Sequence, residues 1–147
     1  PHVTVVDPAR AACLYESAVA GRPVTVAESE APIMAMLECY EPSMIAFRVL
    51  ERVAEGFMTV EDDMAPEVMR RLANPLGDDP PIVSGESGGA GLAGLLTALR
   101  DPALAQKIGL GKHSRVLVVN TEGATDPVVY ESLVGRSPDA VLRGPAS

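Results

Sequence analysis

The chain has 147 residues, a net charge of −8, 47% apolar residues and only 3% aromatics. That length supports one domain with a real core, and the apolar content excludes wholesale disorder. Scattered Lys and Arg on an acidic chain exclude a nucleic-acid partner. No apolar run approaches a membrane span and no signal-peptide pattern opens the chain, so the cytoplasm is the expected compartment. With no Trp, the core has to be built from Ala, Val, Leu, Ile and Met, which suits helices alternating with buried parallel strands. The sequence starts at Pro1 without Met and enters a strand-like run at once, so it reads as a region of a longer polypeptide.

His2 to Val6 (HVTVV) predicts a strand. Asp7 and Pro8 then predict a helix, with Asp7 as N-cap, ending at Gly21. Val24 to Val26 reads as a short strand and Ile33 to Cys39 as a short helix. Ser43 caps a further helix that places Ile45, Val49, Leu50 and Val53 on one face. Phe57 to Val60 predicts a strand. Three acids, Glu61 to Asp63, open the next helix at the positive end of its dipole, and Met64, Val68 and Leu72 form its buried stripe. Ile82 and Val83 predict a short strand leading into SGESGGAG. Leu92, Leu95, Leu96 and Leu99 come next at amphipathic-helix spacing. Asp101 caps a short helix. Arg115 to Asn120 (RVLVVN) is the clearest strand, and its continuous apolar run predicts burial on both faces. Asp126 and Pro127 start a last helix to Val134, and residues 135–147 read as a loose tail. The fold class is therefore α/β, a parallel sheet with helices on both faces.

In open α/β sheets ligands sit beyond the C-terminal strand ends. Two such ends carry small and hydroxyl residues: SGESGGAG after Ile82-Val83, and NTEGATDP after Val116 to Val119. The glycines of the first admit either a flat ligand or a close helix–sheet contact, with Ser87 or Glu86 as a cap. No Gly-Lys-Ser/Thr comes after it, so it is not a Walker loop. In the second, Thr121 directs a hydroxyl at a ligand or merely turns a corner, and Glu122 is a candidate acid or base. His2 and His113 have no nucleophile partner in sequence. Lys107 and Lys112 read as solvated surface lysines, and the six Met as core filler. Cys13 and Cys39 are too few and too far apart for a zinc knuckle; they read as buried thiols, and no metal site is expected.

Taken in order, NPLGDDPPIVSGESGGAGLAGLL and RVLVVNTEGATDPVVY resemble the C-terminal half of the diaminopropionate ammonia-lyases. These are fold-type II pyridoxal-phosphate enzymes, the group of tryptophan synthase β and threonine deaminase. HVTVVDPARAACLYES resembles the strand and helix after that family's phosphate loop, and PIMAMLECYEPS its IMAGL-x-Cys-Gly-x-Pro stretch. The resemblance covers residues 2–134. It implies pyridoxal 5'-phosphate as cofactor, with Thr121 beside the pyridine nitrogen and Gly85, Glu86, Ser87 and Gly123 lining the pocket. It also implies a disulfide between Cys13 and Cys39. The sequence departs from the pattern at Tyr40, at Gly89-Ala90 and at Ala124.

The resemblance further implies that residues 1–134 are a C-terminal portion of a lyase that converts 2,3-diaminopropionate to pyruvate and ammonia by α,β-elimination. The cofactor-anchoring lysine and the general base belong upstream, so no catalytic residue is assigned within the chain and it is not competent alone. A small amino acid is the expected substrate and a homodimer the expected assembly. Three alternatives stand beside this reading. One is a related threonine or serine deaminase. Another is a non-catalytic truncated paralogue acting as a binding or assembly module. The third is a free-standing nucleotide-binding domain, against which the absence of G-x-G-x-x-G after the first strand counts.

Overall fold

The computed structural model describes residues 2–144. Two of the expected strands form: β1 over Thr4–Pro8 and β2 over Gly56–Val60. They pair in parallel, with Thr4 opposite Gly56, Val6 opposite Met58 and Pro8 opposite Val60. A parallel pair needs a crossover, and α1 (Cys13–Ala20) and α2 (Met44–Val53) lie within it. The remaining helices are α3 (Met64–Ala73), α4 (Ala90–Arg100), α5 (Pro102–Lys107), α6 (Pro127–Val134) and α7 (Pro138–Leu142). No helix among the described residues is long and apolar enough to cross a membrane.

Side chains alternate across a strand, so the pair presents two faces. Val6 and Met58 meet α4, which comes so close that a β-carbon at Gly94 would lie 2.6 Å from Val6 Cγ2 and 3.4 Å from Met58 Sδ. Asp7, pointing the other way, reaches the start of α1, where its Oδ2 accepts from Leu14 N and Tyr15 N at 2.9 Å each. Helices thus cover both faces, as the α/β reading requires. Asp7 caps α1, but from inside β1 rather than as the residue next to the helix, because Pro8 ends the strand and a 3-10 turn (Ala9–Ala11) intervenes. Gly21 closes α1 with φ 65°, a left-handed conformation that a glycine adopts without strain.

The core has two parts. Met34, Met58, Val60, Met64, Ala65, Val68, Ala90 and Ala93 form the first, between the strands, α3 and α4. The expected stripe of α3 is inside: Val68 is fully buried, Met64 is buried and Leu72 packs alongside. On α4 the buried face is Ala90, Ala93, Gly94 and Ala98, while Leu99 is exposed and the other leucines are half-buried. Close approach to the sheet selects the small residues and moves the leucines to the margins. Met69, Ala73, Tyr130, Val134 and Val141 form the second cluster, joining α3, α6 and α7.

Several expectations need correction. Residues 115–120 form no strand and are exposed, Leu117 at 89%. A strand exists only where a neighbour accepts its ladder, and no described strand lies beside this segment. Val24–Val26 and Ile82–Val83 likewise stay outside the sheet; they keep single backbone bonds, Val26 N to Tyr40 O at 2.9 Å and Ile82 N to Leu72 O at 2.8 Å. The α2 stripe is not inside: Phe47 is buried instead, and Ile45, Val49 and Val53 are exposed. The tail is not loose throughout, because Ser137 Oγ caps α7 by accepting from Ala140 N, and Val141 is fully buried. Residues 145–147 of the expected tail lie outside the described residues. The helix expected over 33–39 shortens to a 3-10 turn, Ala35–Leu37.

The Cys13–Cys39 bridge that the resemblance implies is not formed; both cysteines are free. Cys13 is buried at the first position of α1, and burial, reinforced by the neighbouring Cys39 thiol, pushes its pKa up to about 12. Cys39 is exposed and its Sγ donates to Glu41 O at 2.9 Å. A thiol-specific reagent should therefore modify one cysteine quickly in the native protein and both after denaturation. If neither reacted until a reductant was added, the two would be bridged.

Two carboxyl groups set opposite acid responses. Burial raises the pKa of Asp7 from 3.8 despite its two amide donors. Its folded state holds the proton more tightly, so this part of the stability is full below 3.8 and is lost as pH rises through the raised value. The Arg100 and Arg71 guanidiniums lower the pKa of Glu67 from 4.5; Arg71 Nε lies 3.0 Å from Glu67 Oε1 within α3, and Arg100, on α4, ties the two helices through the same oxygen. That contribution is present above 4.5 and is lost as pH falls through the depressed value. Urea unfolding across the acid range should show D7N removing the first dependence and E67Q the second. D7A, which also forfeits both amide bonds, should lose about 1–2 kcal/mol, as helix-cap removal does.

Candidate functional site

The two candidate segments, SGESGGAG and NTEGATDP, meet in space. Gly85 N donates to Glu122 O at 3.0 Å, and Ser87 N donates to Glu122 Oε2 at 2.9 Å. Ser84 Oγ donates to Asn120 Oδ1 at 2.9 Å, and Asn120 Nδ2 donates to Val83 O at 3.4 Å. Met36 N donates to Ser87 Oγ at 3.0 Å, which draws in the segment around Met34, a fully buried core residue. Three stretches remote in sequence thus converge on one corner at the N-terminal end of α4.

Two of the glycines of SGESGGAG, Gly85 and Gly88, are explained by this contact. A β-carbon at Gly85 would lie 2.8 Å from Glu122 Cδ and collide with Gly123 O. One at Gly88 would lie 2.6 Å from Glu122 O and collide with Asn120 Oδ1. At Gly85 and Gly88 the structure shows close approach of one segment, 84–88, to another, 120–123, which lies outside the sheet. Neither Ser87 nor Glu86 caps α4: its N-cap, Gly89, makes no side-chain bond, and Ala90 N donates to Ser87 O at 3.2 Å.

The five expected pocket residues share the corner but differ in exposure. Gly85 and Ser87 are buried, Glu86 is half-buried, and Thr121 and Gly123 are exposed. Space around the Gly123 α-carbon is open, since a β-carbon there would meet nothing within 4 Å. The Thr121 hydroxyl has no hydrogen bond to the described residues, whereas its neighbours Asn120 and Glu122 are both engaged. The corner therefore offers an uncommitted hydroxyl beside an open glycine, backed by a hydrogen-bonded wall. That donor set fits the edge of a flat heteroaromatic ring whose nitrogen needs one polar partner.

Ser84, Asn120 and Glu122 carry this geometry, and of these only Glu122 was singled out by sequence, as an acid or base. Both its carboxylate oxygens are occupied as acceptors, Oε2 by Ser87 N and Oε1 by Thr125 Oγ1 at 3.2 Å. Fully buried Ser84 shows no sequence signal beyond standing next to the glycine run. Lys107 ends α5 and Lys112 lies in the turn beyond it, and neither hydrogen-bonds to the corner. Among the described residues no cluster of His, Cys, Asp and Glu could hold a metal ion. A shallow cavity of about 410 Å³, lined by Arg10, Glu16, Val24 and Ser29 among others, shares no residue with the corner.

Comparison with known proteins gives this corner a context. The chain is 41% identical over 143 residues to the diaminopropionate ammonia-lyase of Escherichia coli strain K12. It is 40% identical over 146 residues to the enzyme of the same name from Salmonella typhimurium strain LT2. The matches take in 95% and 93% of the chain, which spans only 36% of the length of either relative. Among solved structures, Escherichia coli diaminopropionate ammonia lyase in complex with an aminoacrylate-PLP azomethine reaction intermediate superposes with a TM-score of 0.81. Its identity is 38%, and the match covers 95% of the chain and 36% of that structure. Maize serine racemase, at 18% identity and a TM-score of 0.71 over 91% of the chain and 38% of its own, shares the fold. A family model described as pyridoxal-phosphate dependent enzyme matches residues 1–122, and the chain belongs to that family.

Proposed function

We propose that the complete polypeptide is a pyridoxal-phosphate-dependent ammonia-lyase that converts 2,3-diaminopropionate to pyruvate and ammonia by α,β-elimination. In it this chain supplies the partner of the cofactor's ring nitrogen and part of the pocket wall. The observation that carries the reading is the corner itself, with a free Thr121 hydroxyl and open Gly123 backed by the bonded segments 84–88 and 120–122. The likeness to two diaminopropionate ammonia-lyases over nearly the whole chain supports the substrate class.

When bound, the cofactor supplies the electron withdrawal that makes the substrate's α-proton removable. Thr121 then acts at the ring nitrogen. A hydroxyl is neutral and, unlike a carboxylate, does not hold that nitrogen protonated. The ring stays a moderate electron sink, which suits prompt loss of a β-amine over long-lived carbanion chemistry. Gly123 leaves room beside the hydroxyl. Half-buried Glu86 and buried Gly85 and Ser87 stand behind it and shape the wall. The cofactor-anchoring lysine and the base that takes the α-proton lie outside these residues, so residues 1–134 are a portion of the catalytic unit and cannot turn over substrate alone.

A homodimer and a cytoplasmic location belong to the same proposal. Exposed Ile45, Val49 and Leu117 favour burial against further protein, and two free thiols suit a reducing compartment.

The complete polypeptide should bind pyridoxal phosphate, seen by its absorbance, and release pyruvate and ammonia fastest from 2,3-diaminopropionate. A higher kcat/KM for threonine or serine would replace this substrate by the deaminase reading, and lack of cofactor binding would end the enzyme reading. In the same protein T121V should lower kcat/KM by roughly 2- to 13-fold, the about 0.5–1.5 kcal/mol of one neutral hydrogen bond, with T121S retaining most of the activity. Equal activity of T121V and wild type would remove Thr121 from the site.

A further inference from the structure

Among the described residues the Thr121 hydroxyl has no hydrogen-bond partner, so something else must fix it in place. Its two neighbours do this. Asn120 Oδ1 accepts from Ser84 Oγ at 2.9 Å, and Glu122 makes three bonds. The Glu122 carbonyl oxygen accepts from Gly85 N at 3.0 Å, Oε2 accepts from Ser87 N at 2.9 Å, and Oε1 accepts from Thr125 Oγ1 at 3.2 Å. Main chain and side chain of one residue therefore grip the loop before α4, while the second carboxylate oxygen fixes the turn at 123–125. We propose that Glu122 is a positioning residue, a clamp that locks segments 84–88 and 120–125 into one wall and thereby holds Thr121 at the cofactor's ring nitrogen. This rests on the function proposed above.

The arrangement separates this role from acid–base chemistry. Both oxygens of the side chain already serve as acceptors, Oε2 to Ser87 N and Oε1 to Thr125 Oγ1. The clamp also needs the length of a glutamate, because its carboxylate reaches an amide on the other segment while its own backbone bonds Gly85. The missing side chains at 85 and 88 let the two segments come close enough for that reach. A gain of about 1 Å in the freedom of a positioned group can cost on the order of 100-fold in rate.

The test uses the complete polypeptide with pyridoxal phosphate, comparing E122A, E122Q and T125V with wild type, and each of these combined with T121V. A glutamine keeps one oxygen to accept from Ser87 N and offers its amide to the Thr125 hydroxyl, so E122Q should lose a few-fold in kcat/KM where E122A loses roughly 10- to 100-fold. E122A should also weaken pyridoxal phosphate binding and shift the absorbance of the bound cofactor. The T121V effect should disappear in the E122A background, because a hydroxyl that is no longer held contributes little. If E122A does not fold, T125V, which frees only Oε1, should show the same non-additivity on a smaller scale.

Three outcomes overturn the proposal. One is an E122Q as impaired as E122A that has lost a limb of the pH–rate profile, which would make Glu122 an acid or base. Another is a fall in melting temperature with cofactor affinity, spectrum and the T121V effect unchanged, which would make it structural only. The third is a wild-type protein that binds no pyridoxal phosphate, which overturns the functional reading and the clamp's role with it. The first two leave the functional reading intact.

Discussion

The approach of residues 84–89 to 120–123 leaves no room for a β-carbon at Gly85 or Gly88. Any side chain there would push the segments apart and stretch the bonds from Gly85 N and Ser87 N to Glu122. Ser87 would then draw away from Met36 N, and with it the buried Met34 would lose its place in the core. The same stretch of chain launches α4, whose Gly94 sits against Val6 with no space for a larger residue. Site and core are thus coupled by short glycine-mediated contacts. A core of small residues packs at high density only if backbones come this close, and the near absence of aromatics forces that solution.

Much of the rest was legible because it is local. Asp101, Asp126 and Ser43 each cap the helix immediately after them, and Asp-Pro at 101–102 and 126–127 marks both start points. A cap is a bond between a side chain and amides two or three residues on, so four residues of sequence contain it. Ser137-Pro138 carries the same signal for α7. It was hidden by the surrounding Gly, Arg and Pro, which read as tail. The buried Val141 shows that one apolar residue at the right position is enough to dock a short helix.

The features that were not legible depend on partners distant in sequence. Residues 115–120 have the composition of a buried strand, yet the ladder that would make them one needs a neighbour these residues do not provide. The apolar stripe of α2 is real as a pattern, but its burial depends on the element that packs against it, and here Phe47 on the opposite side is the residue inside. The corner took an intermediate course. Both of its segments read in sequence as candidate ligand-binding turns, although the strands expected before them do not form. That the two segments touch, and that Gly85 and Gly88 make room for the contact, depends on a partner 35 residues away and is not written in either motif. Glu122 changes meaning in the same way, from a candidate proton carrier to an acceptor already used twice.

A neutral hydroxyl at a ring nitrogen is a weak interaction, about 1 kcal/mol when well placed. Its value to catalysis comes from holding one ring geometry rather than from its strength, and that value falls quickly with misplacement. A carboxylate in the same position would tolerate more error, because a charge attracts over a longer range than a hydroxyl hydrogen bond. A threonine in the role proposed for Thr121 would therefore shift the demand for precision onto the residues around it. Asn120 and Glu122 meet that demand from either side, one through Ser84 and the other through Gly85 and Ser87. The chemistry proposed for position 121 would thus account for neighbours that need touch neither substrate nor cofactor yet are tied firmly to the loop before α4.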